Sequence, residues 1–248
     1  VNRYSAIMTI GERVIAVSNM IKTYITDSYP AVKTENITVI HRGIDPSQYT
    51  YGYQPDPSWL KQWQQDFPQL KDKFIVTLPA RITAWKGQED FINCISALKL
   101  QGVNIHGLIV GETHPRKQQF LTSLKQRIAE LGLEDEISFT GHRSDLQNIL
   151  AISNIVLSLA KQPEAFGRTT IEALSMGIPV IGYDHGGVAE QLSAVFNEGK
   201  VPVGDFTAVI EKISEWQNGA PIVGKKHPFT LNNLCKKTLA IYEQLCHE

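Results

Sequence analysis

Apolar residues along this chain gather in short runs, and nearly every run is followed by a stretch whose apolar positions fall three and four apart. The runs Arg13–Val17, Ile37–Ile40, Phe74–Leu78, His106–Val110, Ile137–Thr140, Asn154–Leu159, Pro179–Gly182 and Lys200–Val203 predict strands. Strands covered on both faces are apolar throughout rather than alternating. The stretches Ser18–Thr26, Gln88–Leu100, Lys117–Leu131, Asp145–Ile152, Arg168–Met176, Val188–Leu192 and Phe206–Trp216 predict helices. Such alternation implies an α/β fold, a parallel sheet with helices on both faces, whose ligand crevice lies at the carboxyl ends of the strands.

The rhythm fails over residues 46–70, where Pro46, Pro55, Pro57 and Pro68 stand among Tyr, Gln and Asp, and a linker with one short helix, Ser58–Asp66, is expected. Residues 1–45 carry a single strand-helix-strand unit, too little for a core of its own, and are expected to end a preceding domain whose front lies outside this sequence. Residues 71–228 read as a complete domain and 229–248 as a closing helix. With 248 residues, 42% of them hydrophobic and 20% charged, the chain can bury a sizeable core, which excludes disordered and fibrous classes.

A formal net charge of -1 without a long basic run argues against nucleic acid as a partner, so an anion site has to be local. Three cysteines, Cys94, Cys235 and Cys246, are odd in number and form no C-x-x-C, which favours a reducing compartment over a disulfide scaffold or zinc site. No apolar run approaches the roughly 18 residues of a membrane span, and the opening VNRYSAIMTIGERVIAVS is no signal peptide. A soluble, cytoplasmic protein is expected.

Candidate chemistry sits where strands end. The stretch PEAFGRTTIEALSMG, Pro163–Gly177, sets Glu164 and Glu172 eight positions apart. On one helix eight residues turn about 800°, leaving the two carboxylates about 80° apart rather than stacked. Pro163 and Gly167 instead separate a strand-like run from a helix start. The free amides of Gly167, Arg168, Thr169 and Thr170 would then seat a phosphate, with Glu164 in the loop before it and Glu172 about a turn inside the helix.

In PARITAWKGQEDF, Arg81 and Lys86 stand beside another helix start. A guanidinium forks two oxygens and an ammonium adds a point charge, which suits a diphosphate; a solvated loop with a helix cap is the plain alternative. FTGHRSDLQ ends a strand with Gly141, His142 and Arg143, and Ser144 is the expected N-cap; a nucleobase wall and ordinary surface both fit. GYDHGGVAEQL fits an anion or sugar contact and a structural turn equally.

GAPIVGKKH has Lys226 where a phosphate-binding P-loop needs Ser or Thr, and it follows a helical pattern rather than a strand. The chain has no G-x-G, no D-x-D, no H-E-x-x-H and no G-x-S-x-G. Phosphate charge therefore falls to protein cations, and no metal or other cofactor is expected.

These residues resemble the retaining glycosyltransferases of family 4. Glu164 and Glu172 match the E-x7-E motif of that family, Glu164-Ala-Phe-Gly167 its EAFG segment, and Arg81 and Lys86 in ARITAWKG its GR…KG loop, with Ala80 in place of the usual glycine. VIAVS at Val14–Ser18, VIHRGIDP at Val39–Pro46 and FTLNNLCKKTLAIYEQL at Phe229–Leu245 are similar to the end of its first domain, its hinge and its closing helix. The resemblance implies the GT-B architecture of two Rossmann-like domains, this chain holding the doubly wound donor-binding domain and a remnant of the first. It implies that Arg81 and Lys86 bind the donor diphosphate, that Glu172 bonds the ribose, and that the backbone from Phe166 to Thr170 holds sugar hydroxyls and phosphate. Glu164 would contact the transferred sugar near the reacting carbon, so that Glu164, Arg81 and Lys86 are the catalytic candidates. The glycine-rich loop near the start of the family's chains, its acceptor pocket and its first-domain histidine have no counterpart here.

The implied activity is metal-independent, retaining transfer of a sugar from a nucleotide diphosphate sugar to a hydroxyl of a glycan or glycolipid. Bacterial lipopolysaccharide or other surface glycan synthesis is the expected setting, with peripheral contact at the inner face of the membrane made through the absent domain. These 248 residues alone are expected to bind donor without transferring it. A sugar-nucleotide epimerase or hydrolase of the same fold and a non-catalytic nucleotide-sugar-binding module are the rival readings.

Overall fold

The computed structural model describes residues 6–247; residues 1–5 of the first expected domain and Glu248 lie outside the described residues. Strands β1 (Val14–Ala16) and β2 (Ile37–Val39) pair in parallel, with Val14 opposite Ile37, and are joined by helix α1 (Asn19–Ser28). The helix begins directly after the strand because the Ser18 hydroxyl accepts a hydrogen bond from the Ile21 amide at 3.2 Å. This unit buries its own small cluster of Val14, Ala16, Ile25, Tyr29 and Ile37.

Helix α2 (Pro57–Asp66) starts on a capping carboxylate, Asp56, which accepts from the Ser58 amide at 2.8 Å, and has Pro57 where a missing N–H costs nothing. Residues 57–70 do not cross open solvent. Trp63 and Leu70 pack with Leu108, Val110 and Ile149 against the main sheet.

That sheet is built from β3 (Phe74–Pro79), β4 (Ile105–Val110), β5 (Ile137–Gly141), β6 (Ile155–Ser158), β7 (Val180–Tyr183) and β8 (Lys200–Val201), in the order β5-β4-β3-β6-β7-β8. All its pairings are parallel. Helices α3 (Gln88–Leu100), α4 (Gln118–Glu130), α5 (Leu146–Ala151), α6 (Arg168–Ser175), α7 (Gly186–Val195) and α8 (Phe206–Trp216) cover it, and every residue of β4 is buried. Strand order reverses between β3 and β6, so the crevice of this doubly wound sheet opens where those two strands end.

Three details depart from the pattern in the sequence. The strand expected to Val203 stops at Val201, because Pro202 has no N–H to continue the ladder. The glycines read as a turn before Val188 form the first turn of α7. Ser144 is not the cap of α5; Asp145 holds that place, and its carboxylate is taken by Arg143 and Trp59.

Helix α9 (Leu231–His247) begins at the junction with the two-stranded unit. The Ile44 amide donates to the Phe229 carbonyl at 3.1 Å and the Leu231 amide to the Ile44 carbonyl at 2.8 Å. Chain segments 185 residues and more apart thus form one short ladder.

Candidate active site

The loop after β3 carries Arg81 and Lys86, and the loop after β6 carries Glu164; these strands are neighbours at the reversal. The loops are stitched together away from the cleft. The Lys161 amide donates to the Trp85 carbonyl at 2.7 Å, and Lys161 Nζ lies 3.0 Å from Asp90, which also accepts from the buried Tyr183 hydroxyl at 2.6 Å. This brings Lys86 Nζ to 2.7 Å from Glu164 Oε2. Both side chains are mostly shielded, which strengthens the pairing over that of a surface ion pair.

A cavity of about 510 Å³ opens here, walled by Arg81, Lys86, Glu164, Phe166, Arg168 and Thr169 on one side and by Val17 and Arg42 on the other. Gly167 shapes its floor. It has φ +81°, and a Cβ there would stand 2.6 Å from Val188 Cγ2, so only glycine serves. Helix α6 starts directly after it; the Thr170 amide, expected to be free, donates to the Gly167 carbonyl at 3.2 Å, which leaves the amides of Arg168 and Thr169 as the first-turn donors without intrahelical partners. The Thr170 hydroxyl is buried in the same turn with no hydrogen-bond partner. Donors left over at a helix start suit an anion or a hydroxyl oxygen.

Helix α7 holds the backbone of this loop. The Gly187 amide donates to the Glu164 carbonyl at 2.8 Å, Gln191 Nε2 donates to the Phe166 carbonyl, and a Cβ on Gly187 would collide with the Phe166 backbone.

Glu172 lies in the second turn of α6, buried, with Oε1 3.0 Å from Arg168 and its carboxylate against Tyr49. Burial pushes its pKa above the ordinary carboxylate value, opposed by the Arg168 cation and the Tyr49 hydroxyl. Its side chain is not part of the wall of the 510 Å³ cavity.

A second cavity of about 630 Å³ adjoins at Arg81, which it shares, and runs along the ends of β4 and β5 past Gly111, Glu112, Thr113, His114 and Gly141. Of the trio Gly141, His142 and Arg143, only the glycine lines it. Arg143 is engaged by Asp145 at 2.8 and 2.6 Å and lies over the Trp63 ring, while His142 is exposed. Residues 111–114 are not among the candidates expected from the sequence, although Gly111 follows a predicted strand as the other candidate loops do. Among the described residues no three of His, Cys, Asp and Glu converge as metal ligands, and no helix is long and apolar enough to cross a membrane.

The profile described as glycosyl transferases group 1 matches residues 61–226, about two thirds of the chain. The chain belongs to this family. Its group 1 match takes in Arg81, Lys86, Glu164 and Glu172, and leaves out β1, β2 and α9. N-acetyl-alpha-D-glucosaminyl L-malate synthase of Bacillus anthracis is 26% identical over 238 residues, covering 84% of this chain and 60% of that protein. A glycosyltransferase of Rickettsia africae ESF-5 superposes with a TM-score of 0.85 at 28% identity, over 99% of this chain and 68% of that one. Anabaena HepE in complex with UDP-glucose superposes with a TM-score of 0.74 at 26% identity, over 84% of this chain and 54% of that one. The fold is thus that of GT-B glycosyltransferases. This group 1 chain spans 36% to 61% of the length of the first curated relatives it matches.

Proposed function

We propose that this chain is the donor-binding part of a retaining, metal-independent glycosyltransferase of family 4 that moves a sugar from a nucleotide diphosphate sugar to a hydroxyl of a glycan or glycolipid. The observation that carries the reading is the Lys86–Glu164 pair, 2.7 Å apart in a cavity lined by Arg42, Arg81, Lys86 and Arg168 against one carboxylate. The superposition on a protein that holds UDP-glucose supports a nucleotide sugar as donor.

In this reading the diphosphate lies against Arg81, Lys86 and the first-turn amides of α6, drawing Lys86 away from Glu164. The freed carboxylate accepts hydrogen bonds from hydroxyls of the sugar. Negative charge grows on the leaving phosphate as the glycosidic bond breaks, and fixed donors there stabilise it; one such donor is typically worth about 10² to 10³ in rate. The same phosphate takes the acceptor's proton, so attack comes from the face it leaves and configuration is retained. Glu172 exchanges Arg168 for the ribose hydroxyls, and the 630 Å³ cavity takes the base. Protein cations meet the phosphate charge without a metal. The acceptor class, lipopolysaccharide or another surface glycan, and a site of work in the cytoplasm at the inner face of the membrane follow from the family resemblance.

Calorimetry with UDP, GDP and ADP tests this. Lys86→Ala is expected to weaken binding by about 1.5 to 3 kcal/mol, the range for hydrogen bonds to charged groups. EDTA is expected to leave binding unaltered. Unchanged affinity in a folded Lys86→Ala protein removes the diphosphate assignment.

A further inference from the structure

Helix α7 presents Gly187, Glu190 and Gln191 at spacings of three and four, hence on one side of the helix. Gly187 and Gln191 hold the carbonyls of Glu164 and Phe166 in the cavity loop. Glu190, beside them, reaches into the two-stranded unit. Its Oε2 accepts from the Asn19 amide at 3.0 Å, from Asn19 Nδ2 at 2.8 Å and contacts His41 Nε2 at 2.8 Å, and its Oε1 accepts from the Met20 amide at 2.9 Å. The two amides belong to the first turn of α1, whose N–H groups have no partner within the helix and whose dipole favours an anion. One carboxylate from a distant helix therefore completes the start of α1 alongside Ser18. His41 in turn packs against Phe229 and Phe166, with ring centroids 5.2 and 6.4 Å away.

The segments that Glu190 grips flank the two residues forming the far wall of the 510 Å³ cavity: Val17 lies just before Ser18 and Asn19, and Arg42 just after His41. We infer that Glu190 is a positioning residue, which sets Val17 and Arg42 over the nucleotide cavity and ties that wall to the loop that receives the diphosphate. The inference rests on the donor reading above. Ordering the Glu164–Thr170 loop by ligand would steady α7 through Gly187 and Gln191, and through Glu190 the start of α1. A clamp with only a stabilising role would hold α1 equally with and without ligand.

Hydrogen exchange of the peptide spanning residues 17–24 separates the two, with calorimetry establishing saturation by whichever of UDP, GDP and ADP binds. In the wild-type chain saturating nucleotide is expected to slow exchange there about threefold or more, as local opening is suppressed. In Glu190→Gln at its own saturating concentration that difference is expected to vanish. Where Glu190→Gln fails to fold, His41→Phe keeps the aromatic packing, removes one of the four contacts, and is expected to reduce the difference. Nucleotide-dependent protection retained in the variant, or absent from a wild-type chain shown to bind nucleotide, overturns the inference while leaving the donor reading intact. Absence of binding by all three nucleotides overturns the donor reading and this inference with it.

Discussion

Burial holds the Glu172 carboxyl above its ordinary pKa, and the Arg168 cation offsets this only in part. A group whose folded pKa is raised contributes its stability below the unfolded value and loses it as pH rises through the folded one. Once pH exceeds its folded pKa, the ionised Glu172 is therefore a cost to the protein. Its partner returns little, because the Arg168 side chain is 65% exposed and screened by water. Glu172→Gln is accordingly expected to melt no lower than wild type near neutral pH, while binding nucleoside diphosphates more weakly and pyrophosphate almost unchanged. Equal losses for the two ligands in calorimetry would make Glu172 a structural carboxylate and remove its ribose role.

Within the sheet, His106 of β4 is sealed beside Ser138 of β5, with Nε2 3.0 Å from the hydroxyl. Burial, helped by the nearby Lys73 cation, lowers its pKa from 6.5 to about 4. Below 6.5 the unfolded chain binds a proton that the folded one refuses, so stability is present above that value and drains as pH falls toward about 4. The loss amounts to something on the order of 3 kcal/mol. Denaturant melts across this range are expected to show the decline, and a folded His106→Gln protein is expected to show a shallower one. At the scale of elements much was legible beforehand. Strands covered on both faces read as unbroken apolar runs, and α8 occupies Phe206–Trp216, the span its periodicity predicts. The loops at the carboxyl ends of the strands were legible one at a time as places, because the strand runs before them and the helical patterns after them bound them in the sequence. What joins them was not: Lys86 and Glu164 meet only because the strand order reverses between β3 and β6. Glu190 looks in the sequence like any surface helix glutamate, since its partners lie 149 to 171 residues away. Arg143 looked available until a neighbour two residues on, Asp145, engaged it.

For the molecule as a whole, the far wall of the cavity among the described residues is Val17 and Arg42, which follow the two strands of the small sheet. Transfer needs donor and acceptor held in contact, an effect of about 7 to 11 kcal/mol on the barrier. This chain alone is therefore expected to bind nucleotide sugar saturably and to release no glycosylated product; acceptor-dependent turnover by the purified chain would show that the wall suffices. Ile7, Met8, Ile10 and Ile15 stand exposed near the start of the described residues. The Lys86–Glu164 pair also bears on how the cleft would treat inorganic phosphate. A bare cation cleft would be clogged by that ion. Here a lone phosphate has to evict a carboxylate 2.7 Å from the ammonium and offers the evicted group nothing, whereas a sugar nucleotide arrives with hydroxyls to occupy it. On the donor reading, the pair would act as a sieve that tells a glycosylated anion from a naked one. Glu164→Gln is expected to let inorganic phosphate compete better while nucleotide sugar loses its advantage over the plain nucleoside diphosphate, and competition titrations with phosphate read both changes at once.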